Sequence, residues 1–165
     1  MRTLLSTLFI IAFTHFATAQ FVLGEINEDW FEEEYMAEGL YGYLDNNLVS
    51  NGGMKIIKRF DVNDDPHEAP CLVGKSFEGG VYVKEDRGCE EESGSNTWVY
   101  MPSDTDIDEL KEWIESWNEL FVGDEHDGYT WRDDNFGPPE GEAGCYYSIE
   151  EDLYGRIVLE LYCGC

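Results

Sequence analysis

An α+β fold, a mostly antiparallel sheet with one or two helices packed on it and stapled by disulfides, follows from three features of the sequence. Short runs of β-branched and aromatic residues recur between Gly-, Pro- and acid-rich punctuation, as antiparallel strands and their turns do. One stretch, 104–121, carries an apolar stripe at helical spacing. The last run, Arg156 to Cys163, alternates Ile157, Leu159 and Leu161 against Val158, Glu160 and Tyr162, the pattern of a strand with one buried face. Hydrophobic residues make up 42% of the 165 residues and aromatics 15%, enough to build a core and to exclude a wholly disordered polyacid.

The first element of the folded part is a helix. Asn27 followed by Glu28 and Asp29 reads as an N-cap with acids in the first turn, and Trp30, Ala37, Leu40, Tyr41 and Leu44 fall near one face. Gly39 and Gly42 weaken its later turns, each by about 1 kcal/mol relative to Ala. Ser50 to Gly53 is a turn, and Met54 to Phe60 a strand carrying Lys55, Lys58 and Arg59, which are expected to pair with the surplus acid. Asp61 to Pro70 is a polar loop. Cys71–Val73 and Val81–Val83 are short strands joined through Gly79-Gly80, and an exposed acidic loop, Glu90 to Ser95, precedes the strand Thr97–Met101.

The strongest local signal is the helix Asp104–Phe121. Ser103 is its expected N-cap with Asp106 at the third helical position, Leu110, Trp113, Ile114, Trp117, Leu120 and Phe121 form the stripe, and Gly123 stops it. Asp108, Glu112, Glu115 and Glu119 lie opposite. Val122 to Gly144, rich in Gly, Asp and Pro, reads as a long surface loop. Gly144–Ile149 and Arg156–Cys163 are the final strands, linked by Glu150-Glu151-Asp152.

The first nineteen residues read as an address. Arg2 gives a positive start, Leu4 to Phe13 an apolar run, and Ala17-Thr18-Ala19 a small-residue cleavage site, the layout of a secretory signal peptide. The expected organisation is residues 1–19 as the signal and 20–165 as a single acidic, extracellular domain. No second apolar stretch reaches the ~18 residues of a membrane span, so no membrane partner is expected.

In an oxidising compartment the five cysteines read as a disulfide framework. The pairing expected is Cys71 with Cys89, and Cys145 with either Cys163 or Cys165; the odd cysteine is then a candidate link to a disulfide-bonded partner. Two histidines beyond the signal, His67 and His126, and no C-x-x-C pair leave a zinc pattern incomplete.

With 36 Asp+Glu against 10 Lys+Arg the net charge is −26. That balance excludes binding to phosphate backbones, which runs on clustered Lys and Arg, so no nucleic-acid partner is expected. Catalytic motifs are missing too: no Gly-x-Ser-x-Gly elbow is present, and among so many carboxylates no one pair stands out as a general acid and base. A non-enzymatic protein is the expectation.

Calcium takes six to eight oxygen ligands, so acidic loops are its natural candidates. Asp61, Asn63 and Asp65 begin with EF-hand spacing, but Pro66 stands where Gly belongs and Leu72 where the bidentate Glu belongs. The better candidate is the loop bearing Asp124, Glu125, Asp127, Asp133, Asp134, Glu140 and Glu142. Six aromatics, Trp98, Tyr100, Trp113, Trp117, Tyr129 and Trp131, are candidates for a stacking platform; Trp113 and Trp117 read as core, leaving Tyr129 and Trp131 in a polar loop for ligand stacking.

With its signal peptide, its 36 acids and runs such as Glu32-Glu33-Glu34 and Glu90-Glu91-Glu92, the chain resembles in composition the acidic organic-matrix proteins of invertebrate skeletons and shells. It departs from their Asp-rich pattern, with 22 Glu to 14 Asp and many aromatics. The resemblance implies an extracellular matrix component that binds calcium ions or a calcium mineral weakly. The alternative is a secreted module or effector that recognises a basic protein or a glycan through an acidic, aromatic-bearing face.

Overall fold

The computed structural model describes residues 21–32, 39–59, 70–89, 94–123 and 128–164. The signal peptide, Ala37, the loop 61–69, the acidic run Glu90–Glu92, the two histidines, Asp124, Glu125, Asp127 and Cys165 lie outside them.

Among the described residues eight antiparallel strands form one sheet: β1 (Lys55–Arg59), β2 (Pro70–Ser76), β3 (Tyr82–Asp86), β4 (Ser95–Met101), β5 (Thr130–Arg132), β6 (Asn135–Gly137), β7 (Gly144–Glu151) and β8 (Ile157–Gly164). Their spatial order is β1-β2-β3-β4-β8-β7-β6-β5. The sheet is therefore two meanders, β1 to β4 and β5 to β8, joined along the β4–β8 seam from Ser95↔Cys163 to Met101↔Ile157. Among the described residues two α-helices, α1 (Gly39–Asn47) and α2 (Ile107–Val122), complete the α+β fold that the sequence predicts. No helix among the described residues is long and apolar enough to cross a membrane.

Alternation decides which face is covered. Val73, Val83, Val99, Leu159 and Tyr147 point from neighbouring strands into one core, with Ile114 and Trp117 of α2 and Leu40 and Leu44 of α1. An aromatic cluster welds the helix layer together. Trp117 lies 5.0 Å from Tyr43, 5.9 Å from Trp30 and 5.8 Å, nearly parallel, from Trp113. Such ring pairs add to the area they bury.

Both disulfides form, Cys71–Cys89 and Cys145–Cys163, each across 18 residues of chain. Cys145 and Cys163 are direct partners in the β7–β8 ladder, which selects Cys163 between the two partners open to Cys145.

Four expectations change. First, the described residues of the expected N-terminal helix are a 3-10 turn, Glu28–Glu32, and α1, whose Gly39 has φ 59°. A left-handed backbone suits glycine, so Gly39 takes its place in α1 without the strain another residue would meet there. Second, α2 begins at Ile107 because residues before it are engaged elsewhere: Thr105 bridges to Phe21 and its hydroxyl donates to the Pro102 carbonyl. Asp106, not Ser103, is the N-cap, its carboxylate accepting from the N–H groups of Asp108 and Glu109. Gly123 ends the helix as expected, its N–H donating to the Glu119 carbonyl.

Third, Val122–Gly144 is no loop throughout: it contains the hairpin β5–β6. Trp131 pairs with Phe136 around a two-residue turn, and Asp133 takes the left-handed φ of 57° that Asp and Asn tolerate best. Fourth, β7 runs through Glu150 and Glu151, and the turn to β8 is organised by Asp152. Its carboxylate accepts from the N–H groups of Tyr154 and Arg156 and pairs with the Arg156 guanidinium at 2.6 Å.

Candidate functional site

The segment 21–28 runs beside the first turns of α2. Phe21 exchanges backbone hydrogen bonds with Asp104 and Asp106, each 3.1 Å, which pins one end. At the other end the Asn27 N–H donates to the Tyr43 hydroxyl at 2.9 Å, tying the segment to α1. Between these anchors the segment and α2 enclose an open groove of about 630 Å³.

Its composition follows from the two elements. Leu23 and Ile26 from the segment, and Leu110, Trp113 and Leu120 from the helix stripe, supply buried and half-buried apolar surface. Glu25 and Glu28 on one side, and Glu109 and Glu112 on the other, are exposed and meet no base among the described residues. Asp106 also lines the groove, with its carboxylate committed to the cap. Trp113 is 8% exposed, and its indole N–H has no acceptor among the described residues. An apolar trough edged by unneutralised carboxylates attracts a group that is cationic at its ends and apolar in its body.

A second cleft, about 650 Å³, opens between α1 and the sheet. Glu85 on β3 faces Thr97 on β4 there, and its buried carboxylate accepts from the Arg87 guanidinium at 2.6 Å. Lys75 pairs with Asp45 at the same end. The Tyr41 phenol has no hydrogen-bond partner among the described residues; burial, with the charges of Asp45 and Glu85, pushes its pKa up to about 12. The cations of this cleft are already matched to its carboxylates, so it carries less unneutralised charge than the groove beside α2.

Of the expected cation ligands, Asp133 and Asp134 form the β5–β6 turn, and the Asp134 carboxylate pairs with Lys111 at 3.0 Å. Glu140 and Glu142 follow on the next loop, where the Tyr146 hydroxyl donates to the Glu142 carbonyl. Among the described residues no three acidic, histidine or cysteine side chains converge as a metal site.

Tyr129 and Trp131, expected on a polar loop, are half-buried instead. Their rings lie 5.7 and 5.1 Å from Phe136. The Trp131 indole donates to Glu115 at 2.6 Å, with Lys111 over the ring at 5.0 Å, and Tyr129 accepts from the Cys145 N–H at 3.2 Å. They border a small cleft of about 350 Å³ with Glu115, Asn118 and Glu119. Trp113 and Trp117 are core, as expected, whereas Trp98 and Tyr100 alternate onto the opposite sheet face, under Lys84 and Arg156. The six aromatics thus form no single platform.

No family model, curated protein or solved structure matches this chain.

The groove beside α2 escapes sequence reading because half of it comes from residues 22–28, a segment with neither helical nor strand periodicity. The available signal was the alternation of Leu23, Glu25, Ile26 and Glu28 directly ahead of the first aromatic, Trp30.

Proposed function

We propose that the chain is a secreted, non-enzymatic binding domain that takes a basic, amphipathic polypeptide segment into the groove between residues 22–28 and α2. The observation that carries this reading is the pairing of exposed, unneutralised Glu25, Glu28, Glu109 and Glu112 with the apolar surface of Leu23, Ile26, Leu110 and Trp113. Charge alone would attract any cation; apolar surface between the charges adds a preference for side chains with a greasy body. Two disulfides support an oxidising, extracellular setting, in keeping with the signal-like N-terminus.

The test is a titration of the oxidised chain with a synthetic peptide alternating Lys and Ile, followed by tryptophan fluorescence, with a Glu-for-Lys peptide as control. Saturable binding of the Lys peptide, weakened by Glu109→Gln/Glu112→Gln, supports the reading. Equal response to both peptides sinks it. Ca²⁺ serves as competitor, because the matrix-like composition of the chain makes calcium the rival cation. Displacement of the peptide by Ca²⁺ but not by equal Mg²⁺ would assign the same carboxylates to calcium.

A further inference from the structure

We propose that the segment filling this groove is the β1 edge of a second copy of the chain, so that molecules associate head to tail. The inference rests on the basic-peptide reading of the groove and names its partner.

β1 ends the sheet and, among the described residues, pairs with β2 alone. All five of its residues are exposed. Ile56 and Ile57 are 43% and 49% exposed, and Met54 just before the strand 47%. Lys55 and Lys58 make no ion pair among the described residues, whereas Arg59 is engaged within its own molecule. In a chain of net charge −26, these five residues hold three of the ten bases. An extended strand with lysines flanking exposed isoleucines is the chemical complement of an apolar groove flanked by glutamates.

The same features disfavour a symmetric pairing of two β1 edges. Antiparallel contact of two copies sets base against base, Lys55 opposite Arg59 with the two-fold axis at Ile57 or opposite Lys58 one register away, and the register shift around Ile57 interrupts the ladder a second strand would follow. The contact that satisfies both charge sets is therefore heterologous, edge into groove. Each association leaves one groove and one edge open, so assembly continues beyond a pair. At ~0.15 M salt the Debye length is about 8 Å, which screens the remote carboxylates of two acidic molecules while sparing charges in contact.

Sedimentation velocity over a concentration series tests this, on the oxidised chain in a Cys165→Ser background that removes any intermolecular disulfide. Mass is expected to rise with concentration past that of a dimer. Lys55→Gln/Lys58→Gln and Glu109→Gln/Glu112→Gln should each weaken association by about tenfold or more. An equimolar mixture of these two variants retains one working edge and one working groove, so it should stop at a heterodimer. A chain that is monomeric throughout, variants that associate like the parent, or a mixture that grows past two overturns the proposal. The far-ultraviolet circular dichroism of these surface variants controls for folding. If the parent is monomeric yet its groove still binds the Lys peptide, only the second-copy partner falls; if peptide binding is absent as well, the groove reading falls with it.

Discussion

The Tyr147 hydroxyl on β7 donates to the side-chain carbonyl of Asn118 on α2 at 3.1 Å, and each residue is only 1% exposed. This contact fixes the rotation of the helix over the sheet: the apolar stripe of α2 alone would tolerate a small roll, whereas a buried polar pair does not.

Breaking the pair from either side should cost more than losing one hydrogen bond. Tyr147→Phe leaves the Asn118 carbonyl buried without a donor and should destabilise the fold by about 1–3 kcal/mol. Asn118→Leu strands the hydroxyl at similar cost. In the double variant neither group is left unpaired, so urea unfolding should show a loss smaller than the sum of the two singles. Strict additivity would mean that the pair contributes nothing as a pair.

The two disulfides span equal lengths of chain, so the loop-entropy argument predicts equal effects, about 3 kcal/mol each. Cys71→Ala/Cys89→Ala and Cys145→Ala/Cys163→Ala, compared by denaturant unfolding, should therefore lie close together. A clear difference between the pairs would show that the packing around the buried half-cystines Cys71 and Cys145, not the constraint on the unfolded chain, dominates.

Alkaline pH should unfold the protein through its tyrosines. Burial raises the pKa of Tyr43, with the Asn27 N–H partly opposing it; burial and then Tyr129 raise that of Tyr147; burial raises Tyr100 against the pull of Arg156. For Tyr41 the change is from 10.0 to about 12, by burial first and then by Asp45 and Glu85. Each such group binds its proton more tightly folded than unfolded. Its contribution is whole below the unfolded value near 10 and falls away as pH climbs through the folded value. Tyrosinate absorbance and near-ultraviolet circular dichroism should thus change together above about pH 10. Tyr41→Phe, which removes a phenol that has no hydrogen-bond partner among the described residues, should move that transition to higher pH.

Local order was legible where a pattern was long. The α2 stripe, the alternation of β8 and the Cys71–Cys89 pair all stand in the sequence much as they fold. The β5–β6 hairpin did not, because strands of three residues cannot show a period and their Asp, Gly and Pro neighbours dominate the local composition. Nor did the strand order: pairing β4 with β8 rather than with β5 depends on α2 carrying the chain across the sheet, a long-range choice with no local signal. The half-burial of Tyr129 and Trp131 has the same origin, since the surface that covers them belongs to Phe136 and α2.

The β4–β8 seam also orders events in time. The first meander, residues 55–101, can zip up while the chain is still being made, but its β4 edge stays bare until β8 has left the ribosome some 60 residues later. Completion of the sheet therefore waits on β8, and a chain cut before Ile157 loses no mere border strand. It loses the one to which both halves are fastened, leaving two adhesive edges, β4 and β7, for whatever chaperone or neighbour arrives first.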